Sequence, residues 1–314
     1  MRVLVTGADG FVGKHLGRHL RAGGDEVLEV RGPDPGAPPA AGGAGAQGLE
    51  ALDVLDAAAV ARVVRAGAPE GIIHLAGWSS VAQSHVDPGK AFAVNALGTV
   101  HLLEAVRKHA PNARVLLVSS GEVYGNAAGE GPASERTEVA PVSPYAVSKL
   151  AAELAGSQYF RSYGVEVLCA RPFNHLGAGQ AAHFVVPSFA RQLQAIRRGE
   201  AHARLEVGNL EPVRDFSHVT DVVEAYRLLL RSGIAGEVYN IASGAGRTIR
   251  SIVDELGALL GLAVEPTVVP ERFRPAEIQS LVGDPSKLRA LGWAPRHTVT
   301  EALRDVLLEV AAVA

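Results

Sequence analysis

Tyr145 and Lys149, in the run Tyr145-Ala146-Val147-Ser148-Lys149, stand four residues apart and share one face of any helix that contains them. A phenol beside an ammonium makes an acid–base pair, because the positive charge favours the phenolate and draws the tyrosine pKa toward working pH. Ser119-Ser120, at the end of an apolar β-like run, can offer a hydroxyl to a substrate oxygen. Such a tyrosine–lysine pair often arises by chance, so its weight comes from its company. That company is the run Thr6-Gly7-Ala8-Asp9-Gly10-Phe11-Val12-Gly13, whose glycines lie three apart between a strand and a helix. Residues without Cβ let backbone amides and the helix N-terminus approach a pyrophosphate.

The elements that must position these groups follow from the hydrophobic period. Short apolar runs at Arg2–Thr6, Glu26–Arg31, Gly71–Leu75, Arg114–Ser119 and Val165–Arg171 read as strands. Helical patterns separate them, notably Phe11–Ala22, Pro88–His109 and Pro144–Tyr163. This alternation predicts an α/β fold, a Rossmann doubly wound parallel sheet with right-handed crossovers. Beyond Phe173, proline and glycine punctuation thickens, and helices at Val185–Arg198, Val219–Arg231, Thr248–Leu260 and Thr300–Val313 alternate with short strands. A smaller C-terminal α/β substrate lobe is expected there. The division falls at 1–172 and 173–314, with segments near 214–242 returning to the sheet. The Gly/Pro/Ala-rich stretch 32–48 reads as a surface loop.

The end of the second strand bears on the cofactor. An acidic residue there would take the ribose 2′-hydroxyl of NAD, whereas Arg31 suits the 2′-phosphate of NADP. Asp34, close by, keeps NAD as the alternative. Asp53, in Leu52-Asp53-Val54, is placed to accept from an adenine amino group or to cap the helix at Ala57–Arg65.

The formal net charge of −3 argues against an extended nucleic-acid footprint. No apolar run reaches the length of a membrane span, and no cleavable leader precedes the first strand, so a cytoplasmic enzyme is expected. The one cysteine, Cys169, lies within the apolar run 165–170 and reads as a packed strand thiol; it excludes an internal disulfide and a cysteine zinc cluster. His15 and His19 have the spacing of metal ligands but lack an accompanying carboxylate, and no metal is expected.

Over essentially its full length the chain resembles the extended short-chain dehydrogenase/reductases. The matching pieces are TGADGFVG, HLAG (His74–Gly77), Asn95 in VNALGT, SSGEVYG (Ser119–Gly125), YAVSK and RPFNHLGAGQ (Arg171–Gln180). Within that family it looks most like GDP-4-keto-6-deoxy-mannose reductases and GDP-mannose 4,6-dehydratases, through FNHLGAGQ, GNLEPVRDF and RPAEIQSLVGDPSKL. The resemblance implies Ser120, Tyr145 and Lys149 as the catalytic set, with Asn95 supporting the lysine. It implies cofactor contacts from Gly7, Gly10, Phe11, Val12, Gly13, Arg31, Asp53, Val54, Leu75, Ala76 and Gly77. On the substrate side it implies Ser79, Ser80, Glu122, Asn174, Val185, Arg214 and Arg274, the last with Asn174 and Arg214 gripping a diphosphate. It also implies a homodimer formed by the helices Pro88–His109 and Pro144–Tyr163, whose apolar faces could instead pack on the sheet.

Position 121 discriminates between chemistries. The 4,6-dehydratases that the chain resembles carry an acidic or hydroxyl residue before the glutamate; here Glu122 is kept and Gly121 precedes it. Trp78 stands where the family usually has a small or polar residue. The expected reaction is hydride transfer from NADPH to the C4 keto group of a GDP-4-keto-6-deoxy sugar. The alternatives are a 4-epimerase or 4,6-dehydratase that returns its hydride internally, and a non-catalytic NADP-binding regulator built on the same fold.

Overall fold

The computed structural model describes residues 1–33, 50–127, 129, 131–200, 204–273 and 278–313. Most of the Gly/Pro/Ala-rich stretch, with Asp34, lies outside the described residues.

Seven parallel strands form the main sheet. In spatial order they are Val238–Ile241, Val167–Pro172, Arg114–Val118, Gly71–His74, Arg2–Thr6, Glu26–Arg31 and Glu50–Ala51. The chain order reverses between Arg2–Thr6 and Gly71–His74, which opens a crevice at their carboxyl ends. The first strand shows why both faces are covered. Its side chains alternate, so Val3 and Val5 enter a core with Leu16, Leu20 and Tyr226, while Leu4 enters another with Val64, Leu102 and Val106.

The helix Pro144–Tyr163 begins where sequence chemistry demands. Ser143 accepts from the amide of Ala146 at 3.1 Å, Pro144 takes a first-turn position, and Gly164 ends the helix at φ 71°. The expected single helix 88–109 is instead three consecutive pieces. Pro88–Phe92 and Gly98–His109 are α-helical, and Ala93–Leu97 between them is a π-turn that carries Asn95. Hydrophobic period cannot reveal a one-turn widening of this kind.

The C-terminal residues build a second core around Leu193, Phe216, Ile252 and Leu303. Its sheet centres on Val213–His218, which pairs with Asn174–Leu176, Gly246–Thr248 and Ser280–Leu281. Of the segments near 214–242 expected to return to the main sheet, Val213–His218 does not: that strand belongs to the small sheet. The helix Val219–Ser232 and the strand Val238–Ile241 make the return, because their side chains complete the core under Val5 and Ile73. Asp215, fully buried, ties the small sheet to neighbouring loops by accepting from Ser243, Gly244 and Gly283 amides at 2.8, 2.9 and 3.3 Å.

Beneath the carboxyl ends of the strands lies a buried ion pair. Arg171 donates to Glu153 at 3.0 and 2.6 Å and to the Tyr124 hydroxyl at 3.0 Å. That hydroxyl donates to Asn240 Oδ1 at 2.7 Å, and Asn240 Nδ2 reaches the Ala133 carbonyl at 2.8 Å. Four segments distant in sequence are locked in one network. Removing one partner leaves the other charge buried and uncompensated, so Glu153→Ala is expected to cost about 3–5 kcal/mol of stability. The double variant Glu153→Leu/Arg171→Met should be markedly more stable than the single one. Denaturant unfolding checks both; a Glu153→Ala midpoint equal to that of the parent would contradict the role given to the pair.

Candidate active site

The site is built from loops at the carboxyl ends of the central strands. Gly7, at φ 70°, leads the first strand into its turn, and a Cβ there would lie 2.8 Å from the Ala76 amide nitrogen. A Cβ at Gly13 would lie 2.4 Å from the Gly7 carbonyl oxygen. Gly10 is the N-cap of the helix Phe11–Ala22 and brings no side-chain cap, so the amides of that first turn are left for an anion. This cradle fits a dinucleotide pyrophosphate. Val12 packs against the core on one side. Phe11 stacks on His175 with ring centroids 6.0 Å apart, and His15 meets the Ala178 carbonyl at 2.8 Å. The phosphate loop and the C-terminal residues are thereby joined.

Arg31 is half-buried at the end of the second strand, with Nη1 3.3 Å from the Gly32 carbonyl. Asp9 reaches across from the glycine loop and accepts from the Gly32 amide at 3.2 Å, a contact that the sequence did not single out. Asp53 is exposed and accepts from the Leu55 amide at 2.9 Å. The cap of the next helix is Asp56, which accepts from Ala58 and Ala59, so the capping alternative for Asp53 is set aside. Val54 is buried under Gly98, and its carbonyl meets His101 at 2.9 Å.

After the strand Gly71–His74, the Leu75 amide donates to the Thr6 carbonyl and the Ala76 amide to Thr6 Oγ1, at 3.2 and 3.1 Å. A Cβ at Gly77 would lie 2.9 Å from Asn95 Oδ1 and 3.1 Å from Lys149 Nζ, so this glycine admits both side chains to one place. Asn95 accepts from the Trp78 amide at 2.7 Å and donates to the Trp78 carbonyl and to Ser148 Oγ at 3.1 and 2.8 Å. It therefore fixes the chain around Lys149 through Trp78 and Ser148, an indirect form of the support expected from it.

Tyr145 and Lys149 are both 8% exposed, on the inner face of their helix. The Lys149 ammonium donates to the Val118 carbonyl at 3.0 Å. Ser120 ends the neighbouring strand, and its hydroxyl accepts from the Glu122 amide at 3.2 Å. Ser84, which sequence reasoning missed, is fully buried; it accepts from the Tyr145 amide at 3.1 Å and donates to the Val81 carbonyl at 2.7 Å. A serine with no distinctive neighbour gives no signal for such a role.

The electrostatics correct one expectation. Burial pushes the Tyr145 phenol up to about 12, a hydrogen bond with Ser120 pulls it back, and Glu122 adds to the rise. The Lys149 ammonium is itself pushed down to about 8 by desolvation, opposed by Glu153. At neutral pH the pair thus stands as phenol and ammonium, the protonation state of an acid ready to donate.

The expected substrate residues are partly gathered. Ser79 is exposed, and Ser80 caps the helix Val81–Val86 by accepting from Gln83 at 3.2 Å. Glu122, Asn174, Val185 and Arg214 are half-buried. Asn174 opens the strand that runs beside Phe216–His218, Val185 opens the helix Val185–Arg197, and Arg214 Nη1 meets the Val213 carbonyl at 2.9 Å. Arg274 lies outside the described residues. Gly121 is buried, and a Cβ there would press on the Phe173 ring at 3.1–3.2 Å.

With this geometry in view, similarity to known proteins is informative. A family model described as GDP-mannose 4,6 dehydratase matches residues 4–306. The chain is 37% identical over 311 residues to a GDP-6-deoxy-D-mannose reductase of Pseudomonas aeruginosa, covering 98% of this chain and 96% of the relative. Among solved structures, RMD from Pseudomonas aeruginosa complexed with NADPH has a TM-score of 0.84 at 36% identity, covering 99% and 98% of the two chains. A Thermus thermophilus UDP-glucose 4-epimerase in complex with NAD has a TM-score of 0.87 at 33% identity over all of both chains. The chain belongs to the GDP-mannose 4,6-dehydratase family of NAD(P)-dependent nucleotide-sugar enzymes.

Proposed function

We propose that the protein reduces the C4 keto group of a GDP-linked 4-keto-6-deoxyhexose with NADPH. The observation that carries this reading is Gly121 under Phe173. Elimination of the C6 hydroxyl calls for a proton donor beside the glutamate; glycine at 121 supplies none, and a Cβ there would press on the Phe173 ring. Similarity to the Pseudomonas aeruginosa reductase over nearly the whole of both chains supports the same choice.

When bound, the reduced nicotinamide supplies the hydride. The protein's part is to hold the sugar and to deliver a proton to O4. Tyr145 Oη gives its proton to the developing alkoxide, which its protonated state at neutral pH allows. The Ser120 hydroxyl donates a hydrogen bond to the same oxygen, and Lys149 binds the nicotinamide ribose and stabilises the phenolate left behind. Glu122 faces the sugar. Asn174, Arg214 and Arg274 hold the nucleotide diphosphate, Val185 lines the substrate site, and Ser79 and Ser80 meet the sugar hydroxyls. Gly7, Gly10, Phe11, Val12 and Gly13 cradle the pyrophosphate, Asp53 and Val54 meet the adenine, and Leu75, Ala76, Gly77 and Asn95 line the path to the nicotinamide.

A second reading, internal hydride return as in a 4-epimerase, draws support from the fold of the Thermus thermophilus epimerase. The proposal includes a homodimer through the two helices flanking the site, where Leu97, Val147 and Leu154 are 48%, 38% and 60% exposed. A monomeric sedimentation mass would exclude it. No helix among the described residues is long and apolar enough to cross a membrane. A cytoplasmic location is part of the reading, and recovery in another cell fraction would overturn it.

Purified protein given NADPH and GDP-4-keto-6-deoxy-mannose should oxidise one NADPH per 6-deoxyhexose formed. Turnover to an isomerised or dehydrated sugar without oxidation would move the assignment to the internal-hydride enzymes. Tyr145→Phe should lower kcat by about 100-fold or more with little change in NADPH binding. Retention of most turnover would remove Tyr145 from its role. Arg31→Ala should raise the KM for NADPH about tenfold while leaving that for NADH nearly unchanged, since only the former loses a charge-assisted contact. Equal changes for both cofactors would refute the assignment of Arg31 to the 2′-phosphate.

A further inference from the structure

Beside Lys149 is a cavity of about 10 Å³ lined by His74, Ala76, Thr99, Ser119, Lys149 and Glu153, among others. A volume of about 10–15 Å³ is the room that one water needs, provided two to four polar groups face it. Here they do. His74 Nε2 and Ser119 Oγ, on side chains 4% and 5% exposed, have no hydrogen-bond partner among the described residues. Two buried polar atoms left without partners beside one cavity is a costly arrangement in a native protein unless something joins them.

The state of His74 follows from its other nitrogen. Nδ1 is 2.7 Å from Thr6 Oγ1, and that oxygen already accepts from the Ala76 amide. With the Thr6 hydroxyl donating to Nδ1, the proton of a neutral imidazole sits on Nε2, and this is the tautomer taken here. Burial and the nearby Lys149 charge hold His74 far below its usual range, at about 3, so it is neutral at any working pH.

We propose that this cavity holds one bound water that joins the Lys149 ammonium to His74 Nε2 and Ser119 Oγ, making His74 and Ser119 positioning residues for the lysine. The water's two lone pairs accept from the ammonium and from the imidazole N–H. Its two protons go to Ser119 Oγ and to the carboxylate of Glu153, which lines the same cavity. Lys149 has three N–H donors: one goes to Val118, one to this water, and one is left for the reacting side of the site. The ionisable groups around the ammonium are few. Tyr145 and Glu153 come from its own helix, His74 from the strand Gly71–His74, Arg171 from Val167–Pro172 through Glu153, and Glu122 acts through Tyr145. Of these only Glu153 favours the charged lysine, and the water joins it. The water therefore offsets part of the burial that pushes Lys149 toward neutrality.

The catalytic consequence rests on the role given to Lys149 above, but the test does not. The chain has five lysines, Lys14, Lys90, Lys108, Lys149 and Lys287, so [ε-13C]lysine labelling gives five resonances whose titrations are read directly. Ser119→Ala, a small change at a site already holding a serine, should lower the Lys149 midpoint by about half a unit. His74→Phe should lower it further, and His74→Gln, which restores a donor near Nε2, should recover most of the loss. The basic limb of the pH profile for NADPH oxidation should move down by the same amount. An unchanged Lys149 midpoint in folded Ser119→Ala protein overturns the proposal, whatever happens to activity. A moved midpoint with an unmoved activity profile would uphold the water site and remove Lys149 from turnover.

Discussion

A cation held almost without water at the carboxyl end of a parallel sheet is the constraint that orders this molecule. Lys149 is 8% exposed, and an ammonium so placed must be met by fixed dipoles or give up its proton. The Val118 carbonyl meets it from the adjacent strand, and Glu153 lies one helical turn further on. Glu153 is in turn bound by Arg171, Arg171 by Tyr124, and Tyr124 by Asn240. The charge at the site is thus balanced through a chain of buried contacts reaching the edge of the sheet. Tyr124 is also the last residue of the 3₁₀ turn Gly121–Tyr124, which Ser120 caps and which carries Glu122.

Close approach of backbones is the second requirement. The glycine turn after the first strand and the turn after Gly71–His74 nearly touch, with a Cβ at Gly7 fitting only 2.8 Å from Ala76. Gly77 lets Asn95 and Lys149 share one place, and Asn95 sits in a π-turn that widens the helix where it must reach Trp78 and Ser148. Site residues thus come from elements whose spacing is set by backbone contact. The C-terminal lobe is held to this frame by Phe11 on His175 and by Asp215, whose carboxylate collects amides from two loops.

Much of this was legible in the sequence, because the strongest signals were local. The apolar run Arg2–Thr6, the glycine spacing of residues 7–13 and the i, i+4 pair Tyr145/Lys149 each depend on a few neighbouring residues, and the structure places them accordingly. What was hidden depends on distance in space. Of the segments near 214–242 expected to return to the main sheet, Val238–Ile241 does and Val213–His218 joins the small one, a choice that nothing local in its residues specifies. Ser84 under Tyr145 and Asp9 on Gly32 carried no pattern at all. The tyrosine pKa went astray for a related reason: adjacency to a lysine was visible, but the depth of burial that raises the phenol was not. His74 appeared only as part of a motif, and its buried, unpartnered nitrogen is a property of the fold.

The central claim is that hydride passes from the nicotinamide to C4 of the sugar and stays there, with Tyr145 supplying the proton. NADPH deuterated at both C4 positions of the nicotinamide, incubated with enzyme and GDP-4-keto-6-deoxy-mannose, tests this most directly. The account predicts a 6-deoxyhexose product with one deuterium at sugar C4 for each NADPH oxidised. A converted sugar free of deuterium, with the labelled NADPH recovered intact, would contradict it.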